Sequence, residues 1–288
     1  MTELTELRSA DAYCRYLTRR HYENFSVISP LLSRSLRRHL ARIYAFCRTT
    51  DDLGDETALS GAGDQALIRL DAWRTQVEQA FVDGDLAVHP VLIALGQTIN
   101  VFDLQARPFL NLIQANIQDQ TVRAYESWED LWGYCMLSAA PVGRMVLSVF
   151  EIDDNTARRL SDDVCNGLQM ANFAQDVLRD RQKGRTYVPQ AAIRSQGLQA
   201  AIRMLSDRAE DLLQSGRQLE ALAPMPLRAQ LALYRLGGLE IIRSVRNIDY
   251  RTDLERPQVS ALAKVRLLPQ AFAETRARID RAEPQHVL

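Results

Sequence analysis

Apolar residues recur along this chain at three- and four-residue intervals, and runs that alternate every second residue are nearly absent. Leu36, Leu40, Ile43, Tyr44 and Cys47 form one stripe. Leu67, Leu70, Trp73 and Val77 form a second, and Val164, Leu168, Ala171 and Phe173 a third. Each stripe is what a helix with one buried face requires. Ser60-Gly61-Ala62-Gly63 reads as a loop, His89-Pro90 as a helix start and Lys183-Gly184 as a helix end. Pro224 and Pro226 bracket a turn before a helix carrying Leu231 to Ile242. No internal repeat, linker or low-complexity stretch divides the sequence. The pattern predicts one all-α domain over residues 1–288, with a frayed polar tail at 279–288.

The most membrane-like run, Leu131 to Phe150, is interrupted by Ser138, Pro141 and Arg144. It falls short of the roughly 20 uninterrupted apolar residues a span needs, and is read as a buried helix of a soluble protein. The N-terminus is polar and acidic where a signal peptide needs an apolar core. The expected location is cytoplasmic, with peripheral contact at the inner face of a membrane open to an enzyme with a greasy substrate.

Composition narrows the function classes. The chain has 288 residues, 47% hydrophobic, with 35 basic and 36 acidic residues for a net charge of −1. That supplies a large core and no global field for nucleic acid, so function must come from local charge clusters. Cys14, Cys47, Cys135 and Cys165 are too dispersed for a zinc site or disulfide framework. His39, His89 and His286 lack metal-ligand spacing and are expected at the surface, while Trp73, Trp128 and Trp132 fall at core-like positions.

Two acidic clusters carry the chemistry. The first, Arg48-Thr49-Thr50-Asp51-Asp52-Leu53-Gly54-Asp55-Glu56, follows the first stripe. On a helix Asp51 and Asp55 lie about 6 Å apart along the axis, and like charges so spaced oppose the helix unless a cation sits between them. Hard carboxylate oxygens facing one point suit Mg²⁺, which commonly bridges a protein carboxylate to substrate phosphates. In the second cluster, Gln169, Asn172, Asp176 and Asp180 share one face of a predicted helix, and Arg179, Arg181, Lys183 and Arg185 lie within or just after it. Carboxylates for metal beside guanidiniums for phosphate are what departure of a diphosphate requires.

At these residues the sequence resembles the squalene and phytoene synthase family, from about His21 to about Lys264. The matching pieces are Ile43-Tyr44-Ala45-Phe46-Cys47-Arg48 with Asp51, Asp52 and Asp55; Tyr134-Cys135 with Ala139-Ala140-Pro141-Val142-Gly143; and Asn172, Asp176, Arg179-Asp180 and Lys183-Gly184-Arg185 with Tyr187 and Pro189. The resemblance implies a single-domain isoprenoid-synthase helical fold around a central hydrophobic cavity. It implies Mg²⁺, two or three ions with the diphosphate, held by Asp51, Asp52 and Asp55 and by Asn172, Asp176 and Asp180. Arg48, Arg179 and Arg185 match its diphosphate-binding arginines, with Lys183 beside them, and Tyr187 would close over the leaving group. Tyr44, Gln169, Asn24 and Phe25 are expected to contact substrate, and Tyr134 to line the cavity. Asp51, Asp55, Asp176, Asp180 and Tyr134 form the expected catalytic set. Tyr250 and Arg256 fall near C-terminal site positions.

Within the family, His21-Tyr22-Glu23-Asn24-Phe25 and Ser138-Ala139-Ala140-Pro141 resemble the bacterial hydroxysqualene branch. Members that condense two prenyl diphosphates usually carry a basic residue and Ser where Glu23 and Asn24 stand, and a carboxylate there repels a diphosphate. The implied reaction is presqualene diphosphate plus water to hydroxysqualene and diphosphate. Its expected neighbours are an upstream presqualene diphosphate synthase and a downstream flavin-dependent reductase. Gly61-Ala62-Gly63-Asp64-Gln65-Ala66 fits a dinucleotide pattern but follows no strand, so no NAD(P)H is expected. The alternatives are a head-to-head condensing prenyltransferase making presqualene diphosphate or phytoene, a helical metal-dependent nucleotide phosphohydrolase, and a non-catalytic scaffold.

Overall fold

The computed structural model describes residues 2–20, 32–58, 63–84 and 87–282, with their side chains except at 2–4, 55–58, 63–64, 226 and 276–282. The helices are α1 (Thr2–Arg20), α2 (Arg34–Ala58), α3 (Gly63–Val82), α4 (Pro90–Phe102), α5 (Ala106–Thr121), α6 (Trp128–Ser138) and α7 (Ala140–Val149). They continue as α8 (Asn155–Gln175), α9 (Val177–Gln182), α10 (Gln190–Gln196), α11 (Leu198–Leu222), α12 (Met225–Asn247) and α13 (Ala261–Ala282). Among the described residues there is no strand, and a single parallel bridge joins Ala124 to Thr186. The all-α expectation holds.

Two apolar clusters bind these helices. Phe46, Trp73, Leu92, Leu95 and Phe109 are buried among α2 to α5, with Ala10 and Cys14 of α1 packed beside them. Leu131, Leu160, Ile202, Leu213 and Leu227 are buried among α6, α8, α11 and α12. At roughly 1.5–3 kcal/mol per buried large side chain, these contacts dominate cohesion. Val146 and Phe150, at the end of α7, pack against both clusters. Paired charges fix the register: Arg42 makes a two-pronged contact with Asp11 (2.8 and 3.2 Å), and fully buried Arg235 donates to Glu220 and Glu274 (2.5 and 2.6 Å). Such pairs add little net stability, but removing one partner strands a buried charge.

Three expectations need correction. The run Leu131–Phe150 is two helices, not one, because Pro141 cannot donate to the carbonyl four residues back. Pro141 instead occupies the first turn of α7, after a break at Ala139 (φ −118°, ψ −53°). The predicted helix through Gln169 and Asp180 also breaks, at Asp176, where α8 ends and α9 begins. There the Leu178 N–H leaves the helical ladder and donates to the Thr252 carbonyl (3.0 Å). Finally, His39 is buried, not at the surface. It shares a face of α2 with Leu36 and Ile43, its Nδ1 lies 3.0 Å from Thr98 Oγ1, and burial with Arg42 nearby lowers its pKa. His89 caps α4, its ring accepting from the Val91 N–H (3.2 Å).

Candidate active site

The first acidic cluster is placed by the end of α2. Thr50 is buried, donates to the Phe46 carbonyl (2.9 Å) and accepts from Trp73 Nε1 (3.0 Å), which pins that turn to α3. Gly54 then lets α5 come close, since a Cβ there would stand 2.6 Å from Asn116 Oδ1. Across this contact Gln120 Nε2 donates to the Gly54 carbonyl (3.3 Å) and Asn116 Nδ2 to Asp51 Oδ1 (3.3 Å). Arg48 pairs with Asp52 one turn on, so the cation that the like charges call for is built into the helix. Asp55 lies on α2 with its side chain outside the described residues, as are Asn24 and Phe25 together with His21 and Glu23.

Helix α5 also contributes Asp119, which the sequence did not single out. Its carboxylate accepts from Tyr134 (2.8 Å) and Tyr187 (3.2 Å) and lies 3.7 Å from Arg185 Nη1. The rings of Phe173 and Tyr187 stack at 4.0 Å, with Tyr125 and Tyr134 packed around them. Burial, reinforced by Asp119, pushes both the Tyr134 and Tyr187 hydroxyls up, so they stay protonated donors.

The break at Asp176 arranges the second cluster. Gln175 Nε2 donates to the Pro257 carbonyl (2.8 Å), and Arg256 reaches back to Gln175 Oε1 (3.2 Å) and pairs with Asp176. Arg256, only loosely matched from sequence, thus lines the same cleft. Asp180 follows on α9, and burial with Asp176 beside it pushes its carboxyl up to about 7, against the pull of Lys183, Arg185 and Arg179. Gly184 takes the left-handed conformation (φ 71°) and turns the chain so that Arg185 and Tyr187 face inward.

Together these elements surround a charged cleft of about 370 Å³. Of the predicted residues, Arg48, Asp51, Tyr134, Gln169, Asn172, Asp176, Arg179, Asp180, Lys183, Arg185 and Tyr187 line it. Asn116, Asp119, Ser138, Phe173 and Arg256 join them. Asp52 is turned to Arg48 instead, and Tyr44 lines a second cavity. That cavity, of about 310 Å³, is apolar, with Leu40, Ile43, Val142, Val146, Leu168, Leu227 and Leu231 in its wall. The two abut. Cys47 faces the apolar cavity and Arg48 the cleft; Leu168 faces the cavity and Gln169 the cleft; Val142 lies in the cavity wall one turn beyond Ser138 in the cleft.

Among the described residues no three His, Cys, Asp or Glu side chains converge into a preformed metal cage. The cleft's oxygen donors nevertheless suit Mg²⁺: Asp51, Asp176, Asp180 and the Asn172 amide line one space, and burial with Asp176 beside it holds the Asp180 carboxyl up. An ion that keeps most of its waters and bridges to phosphate oxygens needs only one or two protein carboxylates on each side.

The sequence profile of squalene/phytoene synthases matches residues 18–263. The chain belongs to the squalene/phytoene synthase family. It is 32% identical to a hydroxysqualene synthase of Rhodopseudomonas palustris over 82% of this chain and 78% of that protein. It is 29% identical to a 15-cis-phytoene synthase of Synechococcus elongatus over 93% and 94%. The crystal structure of squalene synthase HpnC from Alicyclobacillus acidocaldarius superposes with a TM-score of 0.78 at 44% identity, covering 85% of this chain and 96% of that one. A dehydrosqualene synthase structure shares the fold, with a TM-score of 0.83 at 23% identity over 96% and 99%. The protein is therefore an enzyme of the isoprenoid-synthase fold whose family works on prenyl diphosphates. No helix among the described residues is long and apolar enough to cross a membrane.

Proposed function

We propose that this enzyme ionises presqualene diphosphate and ends the reaction with water, releasing hydroxysqualene and diphosphate. The observation that carries the reading is the abutment of a cleft crowded with carboxylates and guanidiniums against an apolar cavity. One holds a leaving diphosphate and the other a hydrocarbon cation. Glu23 and Asn24, where condensing members carry a basic residue and Ser, and the likeness to the Rhodopseudomonas protein favour the hydration branch.

In this reading Arg48, Arg179, Lys183, Arg185 and Arg256 meet the charge that grows on the phosphate oxygens as the carbon–oxygen bond lengthens. Asp51, Asp176 and Asp180, with Asn172, would hold Mg²⁺, which supplies Lewis-acid stabilisation of the departing diphosphate. Tyr134 and Tyr187, fixed by Asp119, close the cleft and keep bulk water from the cation. Leu40, Val146, Leu168 and Leu231 enclose the carbon chain and offer the cation no base. The reaction would take its substrate from a presqualene diphosphate synthase and hand its product to a flavin-dependent reductase.

The likeness to the Synechococcus phytoene synthase favours a second reading, head-to-head condensation. Purified protein with Mg²⁺, offered presqualene diphosphate and farnesyl diphosphate separately with products resolved by mass, separates the two. Hydroxysqualene from the first and nothing from the second is expected. Presqualene diphosphate from farnesyl diphosphate, or phytoene from geranylgeranyl diphosphate, would establish the condensing branch instead.

A further inference from the structure

The hydration reading requires one water at the cation while the rest of the solvent is excluded, and neither acidic cluster nor the diphosphate-binding arginines supply a group to hold it. A held water must sit where the charged cleft meets the apolar cavity, because the cation forms on one side and the leaving group stays on the other. It also needs two or more polar partners to be ordered there. Most polar groups of the cleft are already engaged: Tyr134 and Tyr187 donate to Asp119, Asn116 donates to Asp51, and Arg256 is held by Asp176 and Gln175.

Ser138 stands apart from these. It is the last residue of α6, placed at the boundary by the break that Pro141 forces, with Val142 and Gly143 of α7 turning into the apolar wall. Ser138 lines the cleft, and its Oγ is buried with no hydrogen-bond partner among the described residues. A buried hydroxyl left unsatisfied costs on the order of 1–3 kcal/mol, and such groups are rare unless something else completes them. Gln169, also in the cleft wall, lies at the same boundary through its neighbour Leu168.

We infer that Ser138 is the positioning residue for the quenching water, with Gln169 as its second partner. The inference rests on the hydration reading above. The water donates its hydrogens to Ser138 Oγ and the Gln169 side-chain carbonyl, which leaves an oxygen lone pair facing the cavity. The substrate's carbon–oxygen bond breaks with its electron pair going to diphosphate, and the cation rearranges. The water's lone pair then forms the new carbon–oxygen bond, and the proton it loses passes to a phosphate oxygen of the departed diphosphate. Nothing is oxidised or reduced, and no co-reactant beyond water is needed.

The test compares Ser138→Thr with Ser138→Val, near-identical in shape and different in the hydroxyl. Each is incubated with presqualene diphosphate and Mg²⁺, and hydroxysqualene is expressed as a share of the diphosphate released. That ratio does not move with the fraction of protein that folds. Threonine is expected to keep the wild-type share. Valine is expected to lower it by about tenfold, the worth of one hydrogen bond, with hydrocarbons from proton loss taking up the difference. An unchanged share in Ser138→Val, with wild type making the alcohol, would overturn the role of Ser138 alone. A wild-type chain that releases no diphosphate from this substrate would overturn the hydration reading, and this inference with it.

Discussion

The charged cleft and the apolar cavity are nearly equal in volume, about 370 and 310 Å³, and both draw walls from α2 and α8, yet they are built on opposite terms. The cavity is lined mostly by apolar side chains. The cleft gathers groups that the fold alone does not satisfy: Asp180 pushed up by burial and Asp176, and Ser138 Oγ, without a hydrogen-bond partner among the described residues. The difference teaches where each region's energy is spent. Substitutions in the cleft should cost chemistry more than folding, and substitutions in the cavity wall should do the reverse or alter which substrate fits.

The largest effect expected is on chemistry. Asp176→Asn should lower diphosphate release by about 10²–10³-fold, the usual scale for loss of one group that stabilises transition-state charge. Its urea midpoint should stay near wild type, because Asn can still accept from Arg256. A midpoint collapse to match the activity would erase the contrast between the two regions.

Asp180 sharpens the contrast through pH. An acid whose folded pKa is raised to about 7 costs the fold nothing below its unfolded value near ~3.9, and its full penalty appears above 7. In chelator, the wild-type chain should therefore lose stability from this group as pH rises from about 4 to about 7, and Asp180→Asn should not. At pH 8 the variant should be more stable by roughly 2–4 kcal/mol in urea unfolding, with the two chains converging near pH 4. Added Mg²⁺ should narrow the gap at pH 8 by stabilising the chain that keeps the carboxylate more than the variant.

On the cavity side, a Cβ at Gly143 would collide with Ser161 Oγ and stand 2.7 Å from Cys165 Sγ. Gly143→Ala should therefore cost about 1–3 kcal/mol of stability, measured by thermal unfolding. The smallest effect should come from Val146→Phe, which fills part of the apolar space. It should raise KM for a thirty-carbon diphosphate by about tenfold, leave kcat within about threefold and leave the melting temperature unchanged or higher.

Much of this was legible in the sequence, and the gaps have physical causes. Local periodicity announces helices, so the stripes through Leu40 and Leu168 placed α2 and α8, and the spacing of the aspartates placed both clusters. The break at Asp176 has no Pro or Gly to announce it; it depends on a hydrogen bond from Leu178 to Thr252, far along the chain. Asp119 carries no motif, and its meaning comes from Tyr134, Tyr187 and Arg185, which only the fold brings to it. Arg256 is in the same position, reaching Asp176 through the docking of Gln175 on Pro257. The burial of His39 went unread because a polar ring on an apolar face needs a known partner, here Thr98.

The most direct test is to run the reaction on presqualene diphosphate in water enriched in heavy oxygen and to locate the label. Ionisation at carbon followed by water capture places heavy oxygen in hydroxysqualene and leaves the released diphosphate unlabelled, which is the predicted result. Label in the diphosphate would mean attack at phosphorus, the chemistry of a phosphohydrolase, and would contradict the division of labour between cleft and cavity.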